Sequence, residues 1–334
     1  MKKYKICKIL LVILAIFLCV AFYELLGICV AYKKQPEVSN TTKKETKNGS
    51  WNECSENTER AVIIEKNPEA LLQRVRLIKN AKKEIILSTF AFQSDESGKL
   101  ILGALHDAAD RGVHIRLLVD GMESWIDMEG NPYFYGLSSH ENVEIKLYNK
   151  ANPLKPWKMM GRMHDKYLIA DGKRYILGGR NTYNYFLGDF PGHKNYDRDV
   201  LVVCDEPEKE NSVNQLLEYF ETIWEQEDSG YFHDNKKLAN RKSVKNAVLE
   251  LQNGYQKYFE ENKERICDTD YTDETFETEK IALVSNPIHT GSKEPVVWYQ
   301  LGELMKNAKN RVKIHTPYII CNDMMYNTWE EIAE

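Results

Sequence analysis

Residues 6–32 read ICKILLVILAIFLCVAFYELLGICVAY, an apolar run broken only by Lys8 and Glu24. A helix needs roughly 20 such residues to cross the hydrocarbon of a bilayer. The run outlasts the apolar core of a cleaved signal peptide and ends without a small-residue A-x-A site, so residues 1–32 read as an uncleaved anchor. Glu24 lies close enough to one end for its carboxylate to reach the interface. Lys2, Lys3, Lys5 and Lys8 crowd the short tail before the run, whereas Lys33, Lys34, Lys43, Lys44 and Lys47 are spread out after it. Positive residues favour the cytoplasmic face. The expectation is a single-pass protein of the cell membrane with its globular part extracytoplasmic.

Residues 33–60 are polar, including SNTTKKETKNGSWNECSENTER, and read as a flexible linker. From Ala61 onward helical and strand patterns alternate. Asn67-Pro68 suits a helix start with Asn67 as cap, and Leu71, Leu72, Val75 and Ile78 follow at helical spacing. Residues 84–92 (EIILSTFAF) predict a buried strand. Leu100, Ile101, Ala104, Leu105 and Ala108 mark a second helix, stopped by Gly112. Residues 113–119 and 142–148 predict two more strands, and residues 213–224 an amphipathic helix. This β-α-β order implies an α/β fold, a mixed sheet flanked by helices, over residues 61–232. Residues 233–280 read as a helical connector ending in an acidic linker, DTDYTDETFETE.

Residues 301–320 (LGELMKNAKNRVKIHTPYII) repeat the pattern of residues 71–92 (LLQRVRLIKNAKKEIILSTFAF), sharing Lys-Asn-Ala-Lys at a predicted switch from helix to strand. Residues 281–334 therefore read as the start of a second copy of the same fold. The net charge of −5 and pI near 6.0 show no whole-chain basic footprint, so nucleic acid is not the expected partner. The seven cysteines show neither C-x-x-C pairs nor histidines at zinc spacing, so no metal or cofactor is expected.

The chemistry concentrates in residues 163–181, MHDKYLIADGKRYILGGRN. His164 and Lys166 are two apart, which on a strand puts imidazole and ammonium on one face. That pairing suits attack on an anionic phosphodiester. Asp171-Gly172 is a hairpin-turn signal. Gly178 and Gly179 permit close backbone approach to a phosphate, and Asn181 adds an amide donor.

The joint spacing H-x-K-x(4)-D-x(6)-G-G-x-N, at His164, Lys166, Asp171, Gly178, Gly179 and Asn181, resembles the signature of the phospholipase D superfamily. The resemblance covers residues 67–227. Within them GKLILGALHDAADRGVHIRLLVDG (98–121), Arg162-Met163, Tyr185-Phe186, Arg198-Asp199 and Ile223-Trp224 are similar to bacterial cardiolipin synthases. Thr316-Pro317-Tyr318 resembles the strand that opens the second half of those enzymes.

The resemblance implies two such motifs meeting at a pseudo-twofold axis. One histidine forms a phosphohistidine, and the other protonates the leaving alcohol and then activates the acceptor. His164 would be either of the two, Lys166 and Asn181 would hold phosphate oxygens, and Asp171 would complete the catalytic set. Asp199 reads either as a carboxylate orienting the site or as a strand-start residue. This chain has one H-x-K-x(4)-D, since His289 and His315 lack the lysine. The partial repeat leads to the expectation of a chain cut short, with a second motif well beyond Glu334 or on a second chain. The implied activity is phosphodiester transfer on a phospholipid such as phosphatidylglycerol, by transphosphatidylation or hydrolysis. A dimeric nuclease and an inactive membrane scaffold are the alternatives.

Overall fold

The computed structural model describes residues 2–47, 59–208, 210–233, 235–316 and 318–333. The sequence between 48 and 58, most of the second half of the expected linker, lies outside them. Helix α1 (Lys2–Tyr32) takes up the apolar run and is long and apolar enough to cross a membrane. Its last two turns lie against the globular part through one stripe, Glu24, Gly27, Ile28, Ala31 and Tyr32. The expected linker is not wholly irregular. Asn40–Lys47 forms helix α2, with Thr42 and Thr46 buried and Thr42 Oγ1 donating to Glu294 at 2.7 Å.

Among the described residues one sheet of nine strands organises the globular part. In chain order the strands are β1 (Arg60–Ile64), β2 (Glu84–Thr89), β3 (His114–Asp120), β4 (Val143–Tyr148), β5 (Tyr167–Ala170), β6 (Arg174–Gly178), β7 (Asp199–Val203), β8 (Ser229–Tyr231) and β9 (Phe276–Glu277). Their spatial order is β8-β4-β3-β2-β5-β6-β7-β1-β9. The pairs β2–β3 and β3–β4 are parallel, because helices carry the chain back between them. The remaining pairings are antiparallel, so the sheet is mixed, as its β-α-β opening and the Asp171-Gly172 turn imply.

Alternation along the central strands sends side chains to both faces. Ile85, Leu87, Ile115, Leu117 and Ile145 face a large core roofed by α3 (Asn67–Asn80), α4 (Glu96–Asp110) and, further along the chain, the long helix Lys242–Glu261. Ile86, Leu118, Tyr167, Ile169 and Val202 face a second core. After the short helices α5 (Glu123–Asp127) and α6 (Pro132–Ser138), helix α7 (Ser212–Trp224) seals that face with Val213, Leu216, Phe220, Ile223 and Trp224.

Three expectations are corrected. Asn67 does not cap α3. Lys66 occupies the cap position without a side-chain bond, and the buried Asn67 amide instead donates to Asn195 O and accepts from Arg180. The acidic stretch after α8 (Lys242–Glu261) and α9 (Lys263–Cys267) is not a loose linker. Tyr271 is buried beneath the Arg76 guanidinium at 3.9 Å, Glu274 pairs with Arg76 at 2.9 Å, and Phe276–Glu277 add to β1. Finally, α10 (Val296–Lys306) forms, but residues 311–316 and 318–320 are not strand, and Ile314, Ile319 and Ile320 stand exposed before α11 (Asp323–Ala333). A strand needs a neighbour to take its N–H and C=O groups, and among the described residues this segment has none.

Candidate active site

The carboxyl ends of β2, β3 and β4 and the amino end of β5 share one edge of the sheet, because Ser88 pairs with Tyr167 and Asp120 with Tyr148. His164 and Lys166 lie on this edge. They sit in the extended segment just before β5 rather than on the strand itself. Both rest on Phe90, which follows β2. The His164 ring lies 4.8 Å from the Phe90 ring, and Lys166 Nζ lies 5.3 Å from the same centroid. One aromatic floor thus sets the relative position of imidazole and ammonium. The imidazole is open to solvent on its other side.

Lys166 is buried, and its ammonium donates to His164 O at 2.6 Å. Desolvation pushes its pKa down to about 8, against the pull of Asp165, Asp197 and Asp120. The same desolvation, reinforced by the Lys166 charge, lowers the pKa of His164. The imidazole is therefore neutral, with a free lone pair, at neutral pH. Among the described residues neither of its ring nitrogens has a hydrogen-bond partner.

The backbone carrying the pair is held from below. Asp120, fully buried at the end of β3, accepts from Met163 N at 3.0 Å and Met122 N at 2.9 Å. Its other partner is Arg162, at 3.2 Å, which also donates to Asn149 O. Asp165, between the two key residues, points away from them and accepts from Tyr219 Oη of α7 at 2.7 Å. Burial raises the Asp165 carboxyl pKa. Phe90, Asp120, Asp165 and Tyr219 were not singled out from the sequence. The ends of β2 and β3, Thr-Phe-Ala-Phe and Val-Asp-Gly, were the available signals.

The remaining expected residues divide. Asn181 is buried on the same edge, its Oδ1 accepting from Ala91 N at 3.2 Å, which leaves the Nδ2 end able to donate to a ligand. Gly178 N donates to Lys166 O at 3.1 Å. The two glycines make room for the chain entering β7. A Cβ on Gly178 would lie 2.1 Å from Asp199 Oδ1, and one on Gly179 2.1 Å from Asp197 Oδ2. Their smallness admits carboxylates here, and Asp197 in turn stabilises the Lys166 charge.

Asp171 is not part of this constellation. It lies past the far end of β5, about 16 Å of strand away from Lys166. At φ 55° it makes the β5–β6 turn, and its carboxylate accepts from the backbone N–H groups of Lys82 (2.9 Å), Lys83 (2.7 Å) and Glu84 (3.0 Å). Those bonds occupy the group and make it a clasp on the start of β2. Asp199 does open a strand. Its carboxylate is buried between Arg74 at 2.9 Å and Arg180 at 3.2 Å, and no contact joins it to His164.

Residues 74–224 match the family described as "Cardiolipin synthase, PLD-like domain". This region is phospholipase D-like and similar to the cardiolipin synthases. It is 30% identical over 212 residues to an uncharacterized protein of Helicobacter pylori, covering 59% of this chain and 39% of that protein. It is 29% identical over 171 residues to cardiolipin synthase C of Escherichia coli, covering 47% of this chain and 34% of that enzyme. The chain thus spans well under half the length of both. Among solved structures, NucT from Helicobacter pylori superposes with a TM-score of 0.41 at 17% identity, over 52% of this chain and 99% of that one.

Proposed function

We propose that this chain carries one half of the active site of a membrane-bound phospholipid phosphodiester transferase, of the cardiolipin synthase or phospholipase D type. The observation that carries the reading is the neutral His164 imidazole and the desolvated Lys166 ammonium seated on one Phe90 ring. The imidazole attacks phosphorus, and a P–N bond forms as the P–O bond to the leaving alcohol breaks. Lys166 and the Asn181 amide neutralise and hold the non-bridging oxygens, interactions that strengthen as charge builds in the transition state.

The leaving oxygen needs a proton, which we assign to the imidazole of a second His–Lys pair. That pair, from further sequence of the same protein or from a second copy, completes the site. Helix α1 anchors the chain in the membrane and keeps the edge beside its substrate.

The test is incubation of the purified protein with phosphatidylglycerol vesicles and, separately, with DNA. Glycerol release together with a phosphatidyl product is expected, and His164→Asn should abolish it with the fold intact, a loss of several orders of magnitude. DNA cleavage without lipid turnover would replace this reading with a nuclease.

A further inference from the structure

Two loops leave the active edge of the sheet with bulky apolar side chains in solvent. The loop after β4 exposes Leu154 (77%), Met160 (59%) and Trp157 (45%), and α5, after β3, exposes Trp125 and Ile126. Such large groups on one rim exceed the scattered exposure ordinary for a soluble surface. Of the three lysines in the first loop, Lys150 donates to Tyr231 O and Lys158 pairs with Asp228, and Lys155 stands beside Leu154 and Trp157 toward solvent. Trp with Lys on a short apolar segment is the composition of interfacial membrane segments.

A second, independent observation fixes what covers this loop. The loop is fastened to α1. Tyr23 Oη donates to Leu154 O at 2.9 Å. Pro156 packs so closely on Gly27 that a Cβ there would lie 2.5 Å from Pro156 Cγ. Tyr32 Oη, at the helix end, donates to Thr290 O at 2.5 Å. Tyr23 and Tyr32 are separated by roughly 13 Å of helix rise. The whole apolar run, 6–32, is about 40 Å long, the thickness of the hydrocarbon plus both headgroup layers. Contacts confined to its last 13 Å place the 150s loop at the boundary between headgroups and acyl chains.

We propose that residues 150–160 form a membrane-docking lip that inserts Leu154, Trp157 and Met160 among the acyl-chain ends of an anionic leaflet. The occupant of this surface is the bilayer itself, not a protein partner. The proposal rests on α1 being a membrane anchor and adds where the active edge sits. The lip enters the chain between Asn149, whose amide N–H groups donate to Lys158 O and Gly161 O, and Arg162, the residue bound to Asp120. His164 follows two residues later. Insertion of the lip thus seats the nucleophile at headgroup depth, where the phosphodiester of a lipid lies.

The experiment is tryptophan quenching in the full chain, reconstituted in phosphatidylglycerol-containing vesicles with acyl chains brominated at carbons 6,7 or 11,12. The signal of Trp157 is the difference between the wild-type protein and Trp157→Phe. Loss of at least half of that signal with the 6,7 lipid, and less with the 11,12 lipid, is expected. A Leu18→Trp variant reports the anchor. If Leu18→Trp is quenched by the 11,12 lipid while the Trp157 signal is untouched, the lip is overturned and the anchor stands. Should Leu18→Trp escape quenching too, the anchor reading fails and the lip fails with it. A Trp157 signal shielded from both bromolipid and aqueous iodide would mean that protein covers the patch, which also overturns the proposal.

Discussion

At the scale of single residues the site is a contest between solvation and charge. Lys166 must be cationic to bind phosphate, yet it is buried with its pKa brought down to about 8. His164 must be neutral to attack, and its pKa is lowered from the ordinary value near 6.5. We expect kcat/KM to rise with pH as the imidazole deprotonates below 6.5. It should fall again through about pH 8 as the ammonium is lost, and a pH–rate profile of the free enzyme measures both limbs. An optimum above pH 9 would contradict the assignment.

The buried ammonium also has a stability signature. Between about pH 8 and the ordinary lysine value the unfolded chain holds a proton that the folded one has released, so stability rises with pH across that window. Below it the burial penalty is fully present, roughly 3 kcal/mol by the size of the shift. Lys166→Met should therefore abolish turnover while leaving the thermal midpoint unchanged or higher. Loss of activity only in step with loss of folding would make the residue structural. His164 and Lys166 were legible because their chemistry is carried by residue type and a spacing of two. Phe90 was not, because an aromatic at a strand end is ordinary until the partner that stacks on it is known.

At the scale of elements, polar groups lock the apolar layers in register. Arg74 of α3, Asp199 of β7 and Arg180 after β6 form a buried triad across three segments. Breaking such a group leaves an uncompensated buried charge, at a cost of about 3–5 kcal/mol. Asp199→Asn should accordingly lower stability by that order in denaturant titration of the detergent-solubilised protein, while Glu65→Gln, at an exposed pair with Arg198, should leave it nearly unchanged. Equal effects would refute the triad's role.

Asp171 shows why motif membership and catalytic duty differ. The sequence spacing is that of the superfamily signature, but the spacing spans the full length of β5. Helices α3, α4 and α7 and strands β2, β3 and β4 were readable from apolar periodicity, whereas the short helices α5 and α6 were not. The roles of Asn67 and of the acidic stretch 268–279 were not, because both depend on arginines, Arg180 and Arg76, that lie far off in the sequence. Charge runs read as solvated until a distant cation is placed against them.

At the scale of the whole molecule, the mixed sheet follows from chain order, and the apolar run becomes a single helix as its composition requires. The repeated pattern at 301–320 gave a helix but no strand among the described residues, since a strand is defined by its neighbours and not by its own sequence. The closure of the sheet carries a further consequence. β1 is the first strand of the sheet to be synthesised, yet Ile64 faces Asp199, and Arg60 faces both Val203 and Glu277. Its partners are made well over a hundred residues later, and bringing them together must overcome a large loop-closure entropy before any contact rewards it. At ordinary translation rates, an unpaired apolar strand therefore waits on the order of ten seconds beside the nascent chain. Throughout that interval its open edge is a template for wrong pairing. The period of greatest hazard in the life of this protein is thus its own synthesis, and it ends when β7 arrives.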